Sequence, residues 1–406
     1  MSFITSLRIK NFFSIKNEVT IDFKATPYNI ENNPERLFEF NGEYYNKVIS
    51  LYGANASGKS TVLKAITTVS NAIINQDDKQ FFMSFKNKFA NLEDSSEIVI
   101  TFVLDIDNEL QEFLYEIEFE SNRFENIGIE NEKLIKVEEN RQELLIDRKK
   151  QVVNNIDSNV KKAIFDNLKS TKSLIQEVYK FEDGKVLNRI ENFFLNTVVS
   201  SNIQTFYTDL GMPNFRYIDM GSCLSEFSWS SDLENFYLAF FNALGLDIVK
   251  IEAKYREYDT KEKEFLGIDV FHDINLKEPL EISLESDGTQ MLMKVLLDIF
   301  KAKKLGSVLI LDELDSIIHP MLVPIIINLL IKNDIQIIYS THNIYNMKFL
   351  QNDEVFLIEK DENHETTIRA VKDMPDIKGY KNLLTLYENG YLGGVPKIEE
   401  IITKIL

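Results

Sequence analysis

Gly53-Ala-Asn-Ala-Ser-Gly58-Lys59-Ser60 spaces two glycines, a lysine and a hydroxyl as G-x-x-x-x-G-K-S, the pattern of a loop that cradles phosphates. The glycines let backbone N–H groups turn inward, and a helix starting at the end of the loop adds its dipole. The implied ligand is ATP, with Gly53, Ala54, Asn55, Ala56, Ser57, Gly58, Lys59, Ser60 and Thr61 around its phosphates. Lys59 would reach the β- and γ-phosphates and Ser60 would ligate Mg²⁺. The competing explanation is a glycine turn at a helix start, which does not require the lysine–serine pair.

A second carboxylate-bearing site follows far along the chain. Val308-Leu-Ile-Leu-Asp312-Glu313 is four apolar residues ending in two acids. Such a strand delivers charge to the carboxyl edge of a sheet, where open α/β folds bind ligands. Asp312 would hold the Mg²⁺ shell, and Glu313 would orient or deprotonate an attacking water. Two further groups are weaker alone. His342 ends Ile337-Ile-Tyr-Ser-Thr-His, and a lone histidine at a strand end is commonly structural. Ser286-Asp287-Gly288-Thr289 precedes Leu292, Val295, Leu296 and Ile299 at helical spacing, so Ser286 reads first as an N-cap.

These residues need strands and helices to carry them. Val48–Tyr52 is a short apolar strand running into the glycine loop, and Val62, Ala65, Ile66 and Val69 mark the following helix. Residues 3–23 read as two strands, and Glu97–Leu104 with Phe113–Phe119 as a hairpin. Later segments alternate helix and strand: Gly288–Lys301, Val308–Leu311, Leu322–Ile331, Ile335–Tyr339 and Glu354–Ile358. That alternation implies parallel pairing and an α/β core. From about Val137 to Phe181 the chain is rich in charge and free of proline, and it reads as the start of a helical arm. The expected division is residues 1–135 and 247–406 as two halves of one ATPase head, with 136–246 inserted between them as that arm.

The chain has 406 residues, of which 44% are apolar, enough for a large core. Its 64 acidic residues against 45 basic ones give −19 net, which disfavours nucleic-acid coating while leaving room for a local basic groove. Arg148-Lys149-Lys150, the densest basic cluster, reads as a solvated helix face. A single cysteine suits a reducing cytoplasm and rules out an internal disulfide. The N-terminus lacks a signal-peptide pattern, and Met321–Ile331 is too short for a membrane span.

With these elements in order the chain resembles the ABC/SMC/RecF superfamily. Glu285-Ser-Asp-Gly-Thr-Gln290, Asp312-Glu-Leu-Asp315-Ser316-Ile-Ile-His319-Pro320 and Ser340-Thr-His342-Asn are similar to the AAA-type ATPases of abortive-infection operons, the AbiL/RloA-like branch. Tyr387-Glu-Asn-Gly390-Tyr-Leu-Gly393-Gly394-Val395-Pro396 resembles that branch's ending. The resemblance implies that His342 is a switch histidine sensing the γ-phosphate. It also implies that Ser286 and Gly288 form a signature contacting nucleotide on a facing head, with Asp315 and Ser316 acting there too. There are departures: Phe13 stands where the branch has arginine, and Asp287 where transporters have glycine.

The expected fold is thus an α/β, ABC/SMC/RecF-like P-loop ATPase head with a long, mostly helical insertion. The expected function is an ATP-hydrolysing sensor or regulator of bacterial anti-phage defence, working as a head-to-head homodimer or larger homo-oligomer. No nuclease constellation is visible in the sequence, so cleavage would fall to a separately encoded effector. The alternative is a RecF/SMC-like DNA-repair ATPase. A transporter subunit is disfavoured by the altered signature and the long insertion.

Overall fold

The computed structural model describes residues 1–74, 85–91, 94–120, 128–139, 141–150, 152–154, 172–178, 185–199, 229–257, 263–272, 279–306, 308–317, 320–374 and 382–393. Period-two alternation opens the chain as β1 (Phe3–Lys10) and β2 (Val19–Asp22), followed by a small hairpin of β3 (Leu37–Phe40) and β4 (Glu43–Asn46) and then β5 (Val48–Tyr52). The expected hairpin is present as β6 (Ser96–Ile106) and β7 (Glu109–Phe119), paired along their whole length. β8 (Ile129–Glu138), β9 (Arg141–Lys149) and β10 (Val152–Asn154) extend it into an antiparallel sheet ordered β10-β9-β8-β7-β6-β1-β2.

The second sheet is assembled from both ends of the chain. β11 (Val198–Val199), β15 (Leu309–Leu311), β16 (Ile337–Ser340), β5, β17 (Val355–Lys360) and β18 (Thr366–Ala370) lie in that order, parallel except for the last pair. A parallel sheet must be covered on both faces, and the residues alternate accordingly. Ile49, Leu51, Ile310, Ile338, Phe356 and Ile358 join the core shared with the antiparallel sheet. Val48, Leu309, Leu311, Ile337, Tyr339 and Leu357 face the opposite core, with the Asp287–Leu305 and Val323–Lys332 helices. The Lys59–Ile74 helix is buried almost all round, with Ser60, Lys64 and Ile74 as its exceptions, and its apolar residues belong to the first core.

The inserted region differs from expectation in its first part. Arg141–Lys149 and Val152–Asn154 are strands, not helix, and Arg148 is not on a solvated helix face. It is buried beside Glu132 at 3.6 Å, and its guanidinium donates to the Lys150 and Lys172 carbonyls. Freedom from glycine and proline suits a long strand as well as a helix, and here pairing with β8 decided between them. The described remainder is largely helical: Leu174–Val178, Lys185–Asn196 and Ser231–Ala243. These helices pack on the head. Phe193 and Phe194 sit against Phe102, and the Tyr237 hydroxyl donates to the Met293 carbonyl. Residues 155–171 and 200–228 of the expected arm lie outside the described residues, as do His319 and Gly394–Pro396.

Between the insertion and the Asp287–Leu305 helix lies a short sheet of β12 (Lys250–Glu257), β13 (Lys263–Phe271) and β14 (Leu280–Glu281). Among the described residues no helix is long and apolar enough to cross a membrane.

Polar groups tie the chain's two ends together inside this core. The Gln336 amide accepts from Ile4 N–H at 2.8 Å and donates to the Ile4 and Asn46 carbonyls, so a side chain satisfies backbone groups that would otherwise be orphaned. Arg36 grips Glu354 with two hydrogen bonds, 2.6 and 2.8 Å, where the carboxylate is wholly buried. Removing one member strands a buried charge. Arg36→Ala should therefore lower unfolding free energy by about 3–5 kcal/mol in a denaturant titration, whereas Arg36→Met with Glu354→Leu should cost far less. Equal losses from the single and double variants would contradict the pairing.

Candidate functional site

β5, β15 and β16 all end at the same edge of the parallel sheet, and each end carries one part of the site. β5 runs into Gly53, β15 into Asp312 and β16 into Thr341-His342. β16 lies between the other two, so residues as far apart in sequence as Gly53 and Asp312 are brought to one edge by register alone.

The loop after β5 takes its shape from tight backbone approaches. A Cβ on Gly53 would stand 2.1 Å from the Ile358 carbonyl oxygen. Gly58 has φ +117°, and a Cβ there would meet Thr366 Oγ1 at 2.5 Å and Ser14 Oγ at 2.9 Å. Those hydroxyls clamp the loop: Thr366 Oγ1 lies 2.8 Å from the Ser57 carbonyl and 2.9 Å from Ser14 Oγ, which in turn is 3.0 Å from Thr61 Oγ1. The turn before β18 is fixed by Glu365, held by Lys16 and Asn17.

The resulting cavity has a volume of about 650 Å³ and is lined by Ser14, residues 55–61, Glu313, Asp315 and His342. Gly53 and Ala54 line an adjoining cavity that shares Asn55 and His342 with the first. Lys59 is buried, its ammonium donating to the Gly53 and Ala54 carbonyls at 3.0 Å each. Burial pushes its pKa down, against the pull of Asp312, Glu313 and Asp315. Lys64 also feels the charge of Asp312. Asp312 is buried and does not line the cavity; its Oδ1 accepts from the Ser340 hydroxyl at 2.5 Å. Glu313 and His342 are exposed at the rim, and the His342 backbone N–H donates to Asp315 Oδ1 at 3.0 Å.

The residues fit a nucleoside triphosphate with its metal. Ser57 Oγ is buried without a hydrogen-bond partner at the cavity wall, which is the kind of atom a bound anion satisfies. The loop opens onto the N-terminus of a 16-residue helix, whose first N–H groups have no partner within the helix. Ser60 at the cavity wall and Asp312 behind it carry hard oxygen donors of the kind Mg²⁺ prefers.

Ser286 and Gly288 are not in this cavity. They are exposed at the start of the Asp287–Leu305 helix, where Ser286 Oγ accepts from Thr289 N–H as an N-cap. Asp315, read from sequence as acting on a facing head, lines the cavity of its own chain. Ser14, Ser340 and Thr366 went unassigned in the sequence. Ser14 directly follows Phe13 and Ser340 directly precedes Thr341-His342, while Thr366 carried no local signal.

Fold and site together define an AAA/ABC-type P-loop ATPase domain. The chain belongs to the family described as "AAA domain, putative AbiEii toxin, Type IV TA system", whose model matches residues 48–347. Among solved structures, it is similar to an SMC head bound to the C-winged helix domain of ScpA, at 13% identity over 90% of this chain and 97% of that one, with a TM-score of 0.46. A second is an Smc head domain with an extended coiled coil bound to the C-terminal domain of ScpA derived from Pyrococcus furiosus, at 14% identity over 91% and 96%, again with a TM-score of 0.46. None of the curated proteins matches the sequence.

The glycine clamp gives a direct test of the loop. Gly58→Ala drives a methyl into Thr366 and Ser14 at a backbone angle that L residues avoid, and should weaken Mg–ATP binding by about tenfold or more in calorimetric titration. Wild-type affinity in that variant would mean that nucleotide binds elsewhere.

Proposed function

We propose that this protein binds and hydrolyses ATP and uses the cycle to regulate a separately encoded partner in anti-phage defence. The observation that carries the catalytic part is the convergence of the 55–61 loop, Glu313, Asp315 and His342 on one cavity. Mg²⁺, held by Ser60 and Asp312, would supply Lewis-acid neutralisation of phosphate charge. Lys59 would leave its carbonyl contacts to donate to the β- and γ-phosphates. Glu313 would accept a proton from water as the water oxygen bonds to the γ-phosphorus; the bond to the bridging oxygen then breaks and ADP leaves with its electron pair. His342, whose backbone N–H is held by Asp315, would hydrogen-bond the γ-phosphate through its imidazole. Ser286 and Gly288, exposed and outside their own chain's cavity, suit contact with nucleotide on a second copy, which favours a head-to-head homodimer.

The regulatory part rests on the family description, which names a putative toxin and a toxin–antitoxin system, and on the acidic balance of −19, which suits a protein partner better than a nucleic-acid track. Closure of two heads around nucleotide is a two-state element that a docked partner can read. A cytoplasmic location and a neighbouring effector, a nuclease among the candidates, belong to the same proposal.

Purified wild type should hydrolyse ATP. Lys59→Ala should lose nucleotide binding, while Glu313→Gln should bind ATP and turn over about 100-fold more slowly. In cells, protection against phage should need this gene together with its neighbour and should vanish with Lys59→Ala. Protection by this chain alone, or nucleic-acid degradation by the purified protein, would overturn the division of labour.

A further inference from the structure

Glu313 has φ +52°, a left-handed backbone that is costly for a residue carrying a Cβ and persists where its surroundings hold it. The residue that holds it comes from the neighbouring strand. Glu313 N–H donates to Ser340 Oγ at 2.8 Å. The same oxygen lies 2.5 Å from Asp312 Oδ1. A hydroxyl has one proton and two lone pairs, so Ser340 accepts from the Glu313 backbone and gives its own proton to the Asp312 carboxylate. It does so with no exposure to solvent, at the last position of β16. That strand's register against β15 and β5 leaves the hydroxyl little freedom to move.

We propose that Ser340 is the positioning residue of the Asp312–Glu313 pair. Through Asp312 Oδ1 it fixes the rotamer of the carboxylate that would face Mg²⁺. Through the Glu313 N–H it stabilises the left-handed turn that swings the Glu313 side chain to the cavity rim. One buried hydroxyl thereby sets the relative orientation of the metal-facing and water-facing carboxylates, and ties both to the strand that ends in His342. The proposal rests on the reading of Asp312 and Glu313 as hydrolytic residues, and it goes beyond that reading by naming what aligns them. A hydroxyl that only filled a strand end would leave the chemistry untouched when removed.

The test is steady-state turnover and equilibrium nucleotide binding for Ser340→Ala and Ser340→Thr, with Glu313→Gln in parallel. Ser340→Ala should bind Mg–ATP within about threefold of wild type, while kcat falls about tenfold or more and half-maximal turnover needs about threefold more Mg²⁺. Ser340→Thr keeps the hydroxyl and should restore turnover to within about threefold of wild type. If Ser340→Ala does not fold, Ser340→Cys takes its place, since a thiol fills the site left by the hydroxyl but is a weak donor. A wild-type kcat in Ser340→Ala beside a slow Glu313→Gln would overturn the role of Ser340 alone. Joint loss of binding and turnover, with Ser340→Thr no better, would reduce Ser340 to a packing residue. Wild-type turnover in Glu313→Gln would remove the hydrolytic reading itself.

Discussion

Ile337, Ile338 and Tyr339 pair on one side with Leu309, Ile310 and Leu311, and on the other with Val48, Ile49 and Ser50. This parallel register of three short strands is the constraint from which the site follows. Parallel strands cannot be joined by a hairpin, so their connections run through helices, and every strand of the trio ends at the same edge. A shift of one residue would reverse the faces of β16. Ile338 would then leave the P-loop helix for the outer core, and Ser340 would turn away from Asp312.

The rest of the molecule can be understood as what keeps that register buried. The antiparallel sheet and the Lys59–Ile74 helix cover one face, and the Asp287–Leu305 and Val323–Lys332 helices, with Ser231–Ala243 and Leu383–Glu388, form the core on the other. Because the trio is drawn from distant parts of the chain, its closure needs contacts of long sequence separation. Gln336 bonded to Ile4, Arg36 bonded to Glu354 and Thr366 bonded to Ser57 are all of this type. These three contacts thus sit where the two ends of the chain meet and where the phosphate loop must hold its shape.

Much of this was legible in sequence because its signals are local. The phosphate loop requires particular residues at fixed spacing, and the strands around it are short runs ending in glycine, acid or Thr-His. The β6–β7 hairpin announced itself by alternation. What stayed hidden was decided by partners far away in the chain. Arg141–Lys149 has a composition that helix and strand share, and only pairing with β8 chose between them. Arg148 looked solvated because nothing near it in sequence shows Glu132 waiting beneath. Thr366 touches the loop from more than 300 positions away. Ser340 was in view, but its two hydrogen bonds depend on β15 lying alongside β16.

The central claim is that three segments remote in sequence form one nucleotide site. Hydrogen–deuterium exchange on Glu313→Gln, with and without Mg–ATP, tests it most directly. Protection should appear together in residues 53–61, 312–315 and 340–342, because one ligand and one sheet edge connect them. Protection confined to one of these segments, or arising only elsewhere in the chain, would contradict the account.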